Sequence, residues 1–141
     1  MPEIRHQLGI LDPTQSKIYS SLTACMPLTK WLTPGVTGHP NLNTSFQLSF
    51  GAPPLTLQVT KVQSGWIQWH CTAGDAEWIN TTIDFTFDTT GYTTVLNFVH
   101  SNWQEGSFTL PEWSFNWALY LRSLKKYCEN GTGYPYPNQI G

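Results

Sequence analysis

Apolar and polar residues alternate along most of this chain, and they break into a helical rhythm near its end. Ile4, His6, Leu8 and Ile10 alternate with polar neighbours, the period of a half-buried strand. Asp12-Pro13-Thr14-Gln15 then offers an N-cap, a first-turn proline and the second half of a capping box. A short helix is predicted over 13–22, with Ile18, Tyr19 and Leu22 inward. A second short helix or turn covers 27–32, with Met26, Leu28 and Trp31 as its apolar side. Residues 33–43 are rich in Pro, Gly and Asn and read as a loop.

Strands follow. Phe46, Leu48 and Phe50 share a face, and Gly51-Ala52-Pro53-Pro54 ends that run. Leu55, Leu57 and Val59 open the next, and Gln63-Ser64-Gly65 turns it into a hairpin with 66–71, where Ile67, Trp69 and Cys71 share a face. A long strand is predicted over 77–88, with Ile79, Thr81, Ile83, Phe85 and Phe87 on one side and Asn80, Thr82, Asp84 and Thr86 toward water. Its partner spans 92–103 with Leu96, Phe98 and His100 together. Beyond Pro111 the period changes. Trp113, Trp117, Tyr120, Leu121, Leu124 and Cys128 form the stripe of an amphipathic helix, and Gly131 stands where a left-handed cap belongs.

These elements predict one α+β domain over 1–141: a curved antiparallel sheet of about six strands wrapped around a long C-terminal helix, with two short helices after the first strand. The first strand, far from the others in sequence, is expected to pair with an edge of the sheet or to stand unpaired; pairing with the last strand would close a bent, grip-like sheet around the helix. Charged residues are only 11% of the chain and the net charge is −2. That disfavours a nucleic-acid or anionic-membrane surface, which needs clustered Lys and Arg. No apolar run long enough to span a membrane occurs, and 1–10 lacks the apolar stretch of a secretory leader, so a cytoplasmic protein is expected. Cys25, Cys71 and Cys128 lack metal-type spacing and are expected as thiols; no metal and no cofactor is expected.

Seven Trp, six Tyr and seven Phe exceed what a core of this size needs. Two readings stand side by side: a bulky core, or a pocket walled by rings. The candidate walls are Trp31, Phe46, Trp69, Ile83, Phe85, Phe98, His100, Trp113, Trp117 and Leu121. His100, on an apolar face, is either a polar anchor for a ligand or a core histidine bonded to its surroundings.

Two stretches resemble the START-like, or SRPBCC, superfamily, in the branch related to the heat-shock-protein ATPase activator domain and the polyketide cyclase/dehydrase-like proteins. One is 117–137, with Trp117, Ser123, Leu124, Lys125, Glu129, Gly131, Gly133, Pro135 and Pro137 at the positions the family favours. The other runs from Trp69-His70-Cys71 through Glu77-Trp78-Ile79-Asn80-Thr81 and Ile83-Asp84-Phe85 to Phe98-Val99-His100-Ser101-Asn102-Trp103. Many relatives carry a double Trp near the second helix, where this chain has Trp31-Leu32. The resemblance implies a helix-grip fold with a cavity between sheet and long helix. Its members bind lipids, sterols, polyketides or plant hormones, catalyse cyclisation or dehydration, or contact a chaperone. The expected function is therefore binding of a small apolar molecule in that cavity. A cyclase or dehydratase using the same space, and a chaperone-associated interaction module, are the alternatives; a homodimer is left open.

Overall fold

The computed structural model describes residues 1–11 and 14–140. Within them the chain forms strand β1 (Ile4–Leu11), helices α1 (Gln15–Thr23) and α2 (Cys25–Trp31), and strands β2 (Gly35–Gly38), β3 (Ser45–Ser49), β4 (Leu55–Gln63), β5 (Trp66–Ala73), β6 (Thr82–Thr90) and β7 (Thr93–Ser101), then helix α3 (Leu110–Asn130). The strands make one antiparallel sheet in the order β1-β7-β6-β5-β4-β3-β2. The first strand pairs with the last: Ile4 stands opposite His100 and Leu8 opposite Leu96. β4 shifts register against β5 at Thr56/Leu57 and Val59/Lys61. Such bulges bend and twist a strand, which helps the sheet curve around the helix.

One face of the sheet is apolar and closed over by α3. Ile67, Trp69, Ile83, Phe85, Leu96 and Phe98 are fully buried against Trp117, Leu121 and Leu124 of the helix. The opposite face is polar, and there Asp84 accepts hydrogen bonds from Trp66 Nε1 (2.7 Å) and Gln68 Nε2 (2.8 Å). The end of α3 is pinned to the free edge of β1. Lys125 Nζ donates to the Gly9 carbonyl, and Glu129 accepts from Leu11 N at 2.7 Å and pairs with Lys125. Gly131 closes the helix at φ 81°, a left-handed conformation that favours glycine. No helix among the described residues is long and apolar enough to cross a membrane.

Four expectations are corrected. The predicted loop contains a strand, β2, which makes seven strands rather than about six. Gly35 belongs to a close approach: a Cβ there would sit 2.8 Å from Ser49. The predicted cap Asp12 and first-turn Pro13 lie outside the described residues; α1 starts at Gln15, and Thr14 is its N-cap, accepting from Lys17 N. Met26 of α2 points to solvent at 67% exposure, while Leu28 and Trp31 are buried. The long strand over 77–88 begins only at Thr82, because residues 75–81 coil into a turn. Asp75 starts that turn, accepting from Trp78 N and Ile79 N on its carbonyl and from Glu77 N on its side chain. Asn80, at φ 71°, ends it.

Cys71 and Cys128 are buried free thiols, and Cys25 is half-buried. Burial pushes Cys71 up to about 11, and it also raises Cys128. Iodoacetamide at pH 8 is therefore expected to alkylate Cys25 of the native protein at least about tenfold faster than the other two. All three are expected to react alike in denaturant. Peptide mass spectrometry reads both, and prompt native labelling of Cys71 would contradict the packing.

Candidate functional site

The turn over 75–81 changes which residues face the interior. A continued strand would have sent Ile79 inward and Trp78 out. The coiled turn does the reverse: Trp78 is fully buried and Ile79 is 38% exposed. Trp78 then becomes the hub of a ring cluster. It meets His100 edge-on at 4.6 Å between centroids and Trp113 edge-on at 4.7 Å, with Trp103 and Trp117 each at 6.2 Å.

Seven of the expected wall residues join one apolar interior. A chain of ring contacts runs from Phe46 to Trp69 (5.1 Å), Phe85 (4.8 Å), Phe98 (5.5 Å) and Trp117 (4.6 Å). Trp117 continues it to Trp113 at 6.2 Å, and Ile83 lies within the same buried cluster. The rings thus touch one another across the space between sheet and helix. Two further expected walls belong to the same buried core but also have other contacts. Trp31 sits under α1 and donates from Nε1 to the Ser21 carbonyl at 2.7 Å. Leu121, at the edge of the core, also borders a groove with His6, Leu8, Ala118 and Arg122, between β1 and α3.

His100 is fully buried at the centre of the cluster, and burial pushes it down to about 3. It is therefore neutral at ordinary pH. Its tautomer follows from its partners. Trp117 Nε1 can only donate, so His100 Nδ1 accepts, at 3.1 Å. Nε2 then carries the proton and donates to Thr81 Oγ1 at 2.8 Å. The Thr81 hydroxyl donates in turn to the Trp78 carbonyl at 2.6 Å. Both ring nitrogens are engaged, and the chain Trp117–His100–Thr81–Trp78 ties helix, sheet and turn together. This arrangement holds structure and leaves no ring nitrogen free to anchor a guest.

Open space lies at the mouth of the grip. A groove of about 200 Å³ is lined by Phe50, Ala52, Pro53, Leu55, Asp75, Trp78, Thr109, Glu112 and Trp113. Its floor is aromatic: Phe50 meets Trp113 edge-on at 5.3 Å and Tyr120 at 5.4 Å. Its rim carries Asp75 and Glu112. Glu77 fixes one side, accepting from Thr109 N at 3.1 Å and Thr109 Oγ1 at 3.2 Å. A carboxylate at the start of α3 also complements the helix dipole. The turn and the helix start are thereby held as one wall.

Sequence reasoning missed Phe50, Trp78 and Trp103 as site residues. The signal for Trp78 was present: Gly74-Asp75 before it and Asn80 after it bracket a turn.

The sequence matches no family model and no curated protein. Among solved structures, the chain is 32% identical to the Aha1 dimer from Colwellia psychrerythraea, covering 94% of this chain and 100% of that one, with a TM-score of 0.85. The solution structure of CalU16 from Micromonospora echinospora matches over 96% of this chain and 70% of that one at 16% identity and a TM-score of 0.76. DynU16, from the dynemicin biosynthetic locus, matches over 93% of this chain at 15% identity and a TM-score of 0.75; the chain spans about half of DynU16's length (48%). The latter two show a shared fold.

Proposed function

This chain belongs to the START-like (SRPBCC) family, in the branch of the heat-shock-protein ATPase activator homologues, and from that premise we propose that it is a binding module for a small apolar molecule taken at the mouth of the helix grip. The observation that carries the reading is the groove between strand ends and helix start, floored by Phe50, Trp78 and Trp113. Its volume of about 200 Å³ is below the ~300–1,000 Å³ of drug-sized ligand sites. The guest is accordingly small, on the scale of one or two fused rings. Covering ~200 Å² of apolar surface would contribute roughly 5 kcal/mol before the cost of association. The deeper side chains, Phe46, Trp69, Ile83, Phe85, Phe98 and Trp117, support the floor. The one buried histidine is used internally, which favours binding over cyclase or dehydratase chemistry.

The test is titration with the two-ring fluorophore 1-naphthylamine, neutral at pH 7. Wild type is expected to bind it with a dissociation constant of roughly 0.2 mM at best, and with quenched tryptophan emission. Trp113 is only half-buried, so Trp113→Ala is expected to keep the fold and weaken the probe at least about tenfold. Wild type that fails to bind the probe would overturn the reading.

A second reading has its own observation. Phe108 and Phe115 are 89% and 63% exposed, on the loop before α3 and in its second turn, and neither is part of the core. Two exposed phenylalanines so close in sequence suit a protein contact. The Colwellia relative, described as a dimer, makes a second copy of this chain the first partner to test. Sedimentation of wild type against Phe108→Ser/Phe115→Ser tests it; a wild-type monomer at high micromolar concentration would end it.

A further inference from the structure

We propose that the groove between β1 and α3 binds a small N-acylated amino acid with an apolar side chain, seated by its carboxylate on Arg122 and by its amide on the free edge of β1. None of the residues lining this groove borders the mouth of the grip, so it is a second site and stands independently of the first. It offers about 200 Å³. Leu8 and Leu121 give it an apolar side, Arg122 and Lys125 a positive one, and no carboxylate of the described residues lines it.

The backbone of Gln7, another lining residue, supplies the recognition element. In an antiparallel pair a residue turns both its N–H and its C=O toward the partner strand or turns both away, and the two kinds alternate. The Gly9 carbonyl accepts from Lys125 Nζ at 2.6 Å and Leu11 N donates to Glu129 at 2.7 Å, so the odd positions of β1 turn away from β7. The register with β7 runs unbroken from Ile4 to Leu11, which puts Gln7 in the same phase. Its side chain is spent on Asn97 at 2.9 Å. Its backbone N–H and C=O face outward, with no partner among the described residues. The open stretch is one residue long. His6 Nε2 donates to the Ser114 carbonyl at 3.0 Å on one side, and Lys125 takes the Gly9 carbonyl on the other. A whole added strand does not fit between these two contacts, and a single residue does. In an N-acylated amino acid one carboxylate oxygen accepts from Gln7 N–H, and the amide N–H donates to Gln7 C=O, as an opposing strand residue would. The other carboxylate oxygen meets Arg122. That guanidinium is exposed and has no carboxylate partner among the described residues, whose ion pairs are Glu3–Arg5 and Lys125–Glu129. Lys125 spends two of its three N–H groups on Gly9 and Glu129 and keeps one to add. The ligand's apolar side chain then covers Leu8 and Leu121.

Titration of the ¹⁵N-labelled protein with N-acetyl-leucine tests this by amide spectra. A millimolar dissociation constant is expected for so small a ligand, with the Gln7 backbone resonance among those that move most. N-acetyl-leucinamide keeps the shape and loses the charge. N-acetyl-N-methyl-leucine keeps the charge and cannot donate to Gln7. Each is expected to bind at least about fivefold more weakly. Arg122→Gln changes an exposed side chain and is expected to keep the fold, to weaken N-acetyl-leucine at least about fivefold, and to leave the response to 1-naphthylamine as in wild type. An acetylated tripeptide ending in leucine is expected to bind no better than N-acetyl-leucine; tighter binding would overturn the one-residue window and point to the C-terminus of a protein instead. Equal binding of acid and amide, or of wild type and Arg122→Gln, would overturn the carboxylate site. Shifts at Phe50 and Trp113 with Gln7 unmoved would place the ligand at the mouth of the grip and overturn the proposal. No shift at about 20 mM N-acetyl-leucine would overturn it outright and leave the binding module standing.

Discussion

Replacing Trp117 with alanine is expected to cost about 5 kcal/mol, a third or more of the stability of an ordinary domain. Removing a buried Trp ring costs ~3–5 kcal/mol through lost transfer energy and the cavity left behind. Trp117 is fully buried and touches Phe98, Trp113, Trp78 and Tyr120 from the centre of α3, so little can relax into its space. The substitution also strips His100 Nδ1 of its donor, and a buried acceptor left unpaired adds ~1–3 kcal/mol. Native domains have only ~5–15 kcal/mol in hand. Trp117→Phe keeps a six-membered ring and loses the N–H with the rest of the five-membered ring, so it reports the lost donor plus a much smaller cavity. It is expected to cost about 2 kcal/mol. Urea denaturation followed by far-ultraviolet circular dichroism measures both. An alanine variant within 1 kcal/mol of wild type would show that the ring cluster is not packed as described.

That cluster was only partly legible in the sequence, and the reasons are physical. Alternation located β1, β5 and β7 because one face of each is buried and the other wet, but it left the partner of β1 open, which the register supplies. The long helix was equally plain, since Trp113 to Cys128 keep one stripe. What escaped was the point where one period gives way to another. Ile79 and Thr81 are in phase with Ile83, so a strand reading runs straight through them. The hydrogen bonds of Asp75 and the left-handed Asn80 override that phase and turn Trp78 inward. Gly35 misled in a similar way: its missing side chain reads as loop, yet it serves the close approach of β2 to β3. Filled core and open pocket read alike along a strand. Only the three-dimensional arrangement shows Trp69, Phe85 and Phe98 in ring contact, and a groove beside Trp78.

The same cluster makes stability depend on pH through one residue. His100 is held neutral in the folded protein, pushed down to about 3 by burial, whereas an unfolded histidine titrates near 6.5. Between those values the unfolded chain binds a proton that the folded one refuses. Stability therefore rises with pH across this window, and the contribution of neutral His100 is fully present above about 6.5. It is lost as pH falls toward 3, by ~1.4 kcal/mol for each unit. From pH 6.5 to pH 4 the loss amounts to roughly 3 kcal/mol. Carboxylates titrate in the lower part of the same range, so the measurement is a difference. His100→Gln offers an amide that can accept from Trp117 and donate to Thr81 without binding a proton. Its stability is expected to start below wild type at pH 7 and to fall less steeply, so that the two curves converge by pH 4. Parallel curves would mean that His100 is free to protonate in the folded state, and the neutral chain linking Trp117 to Trp78 would have to be abandoned.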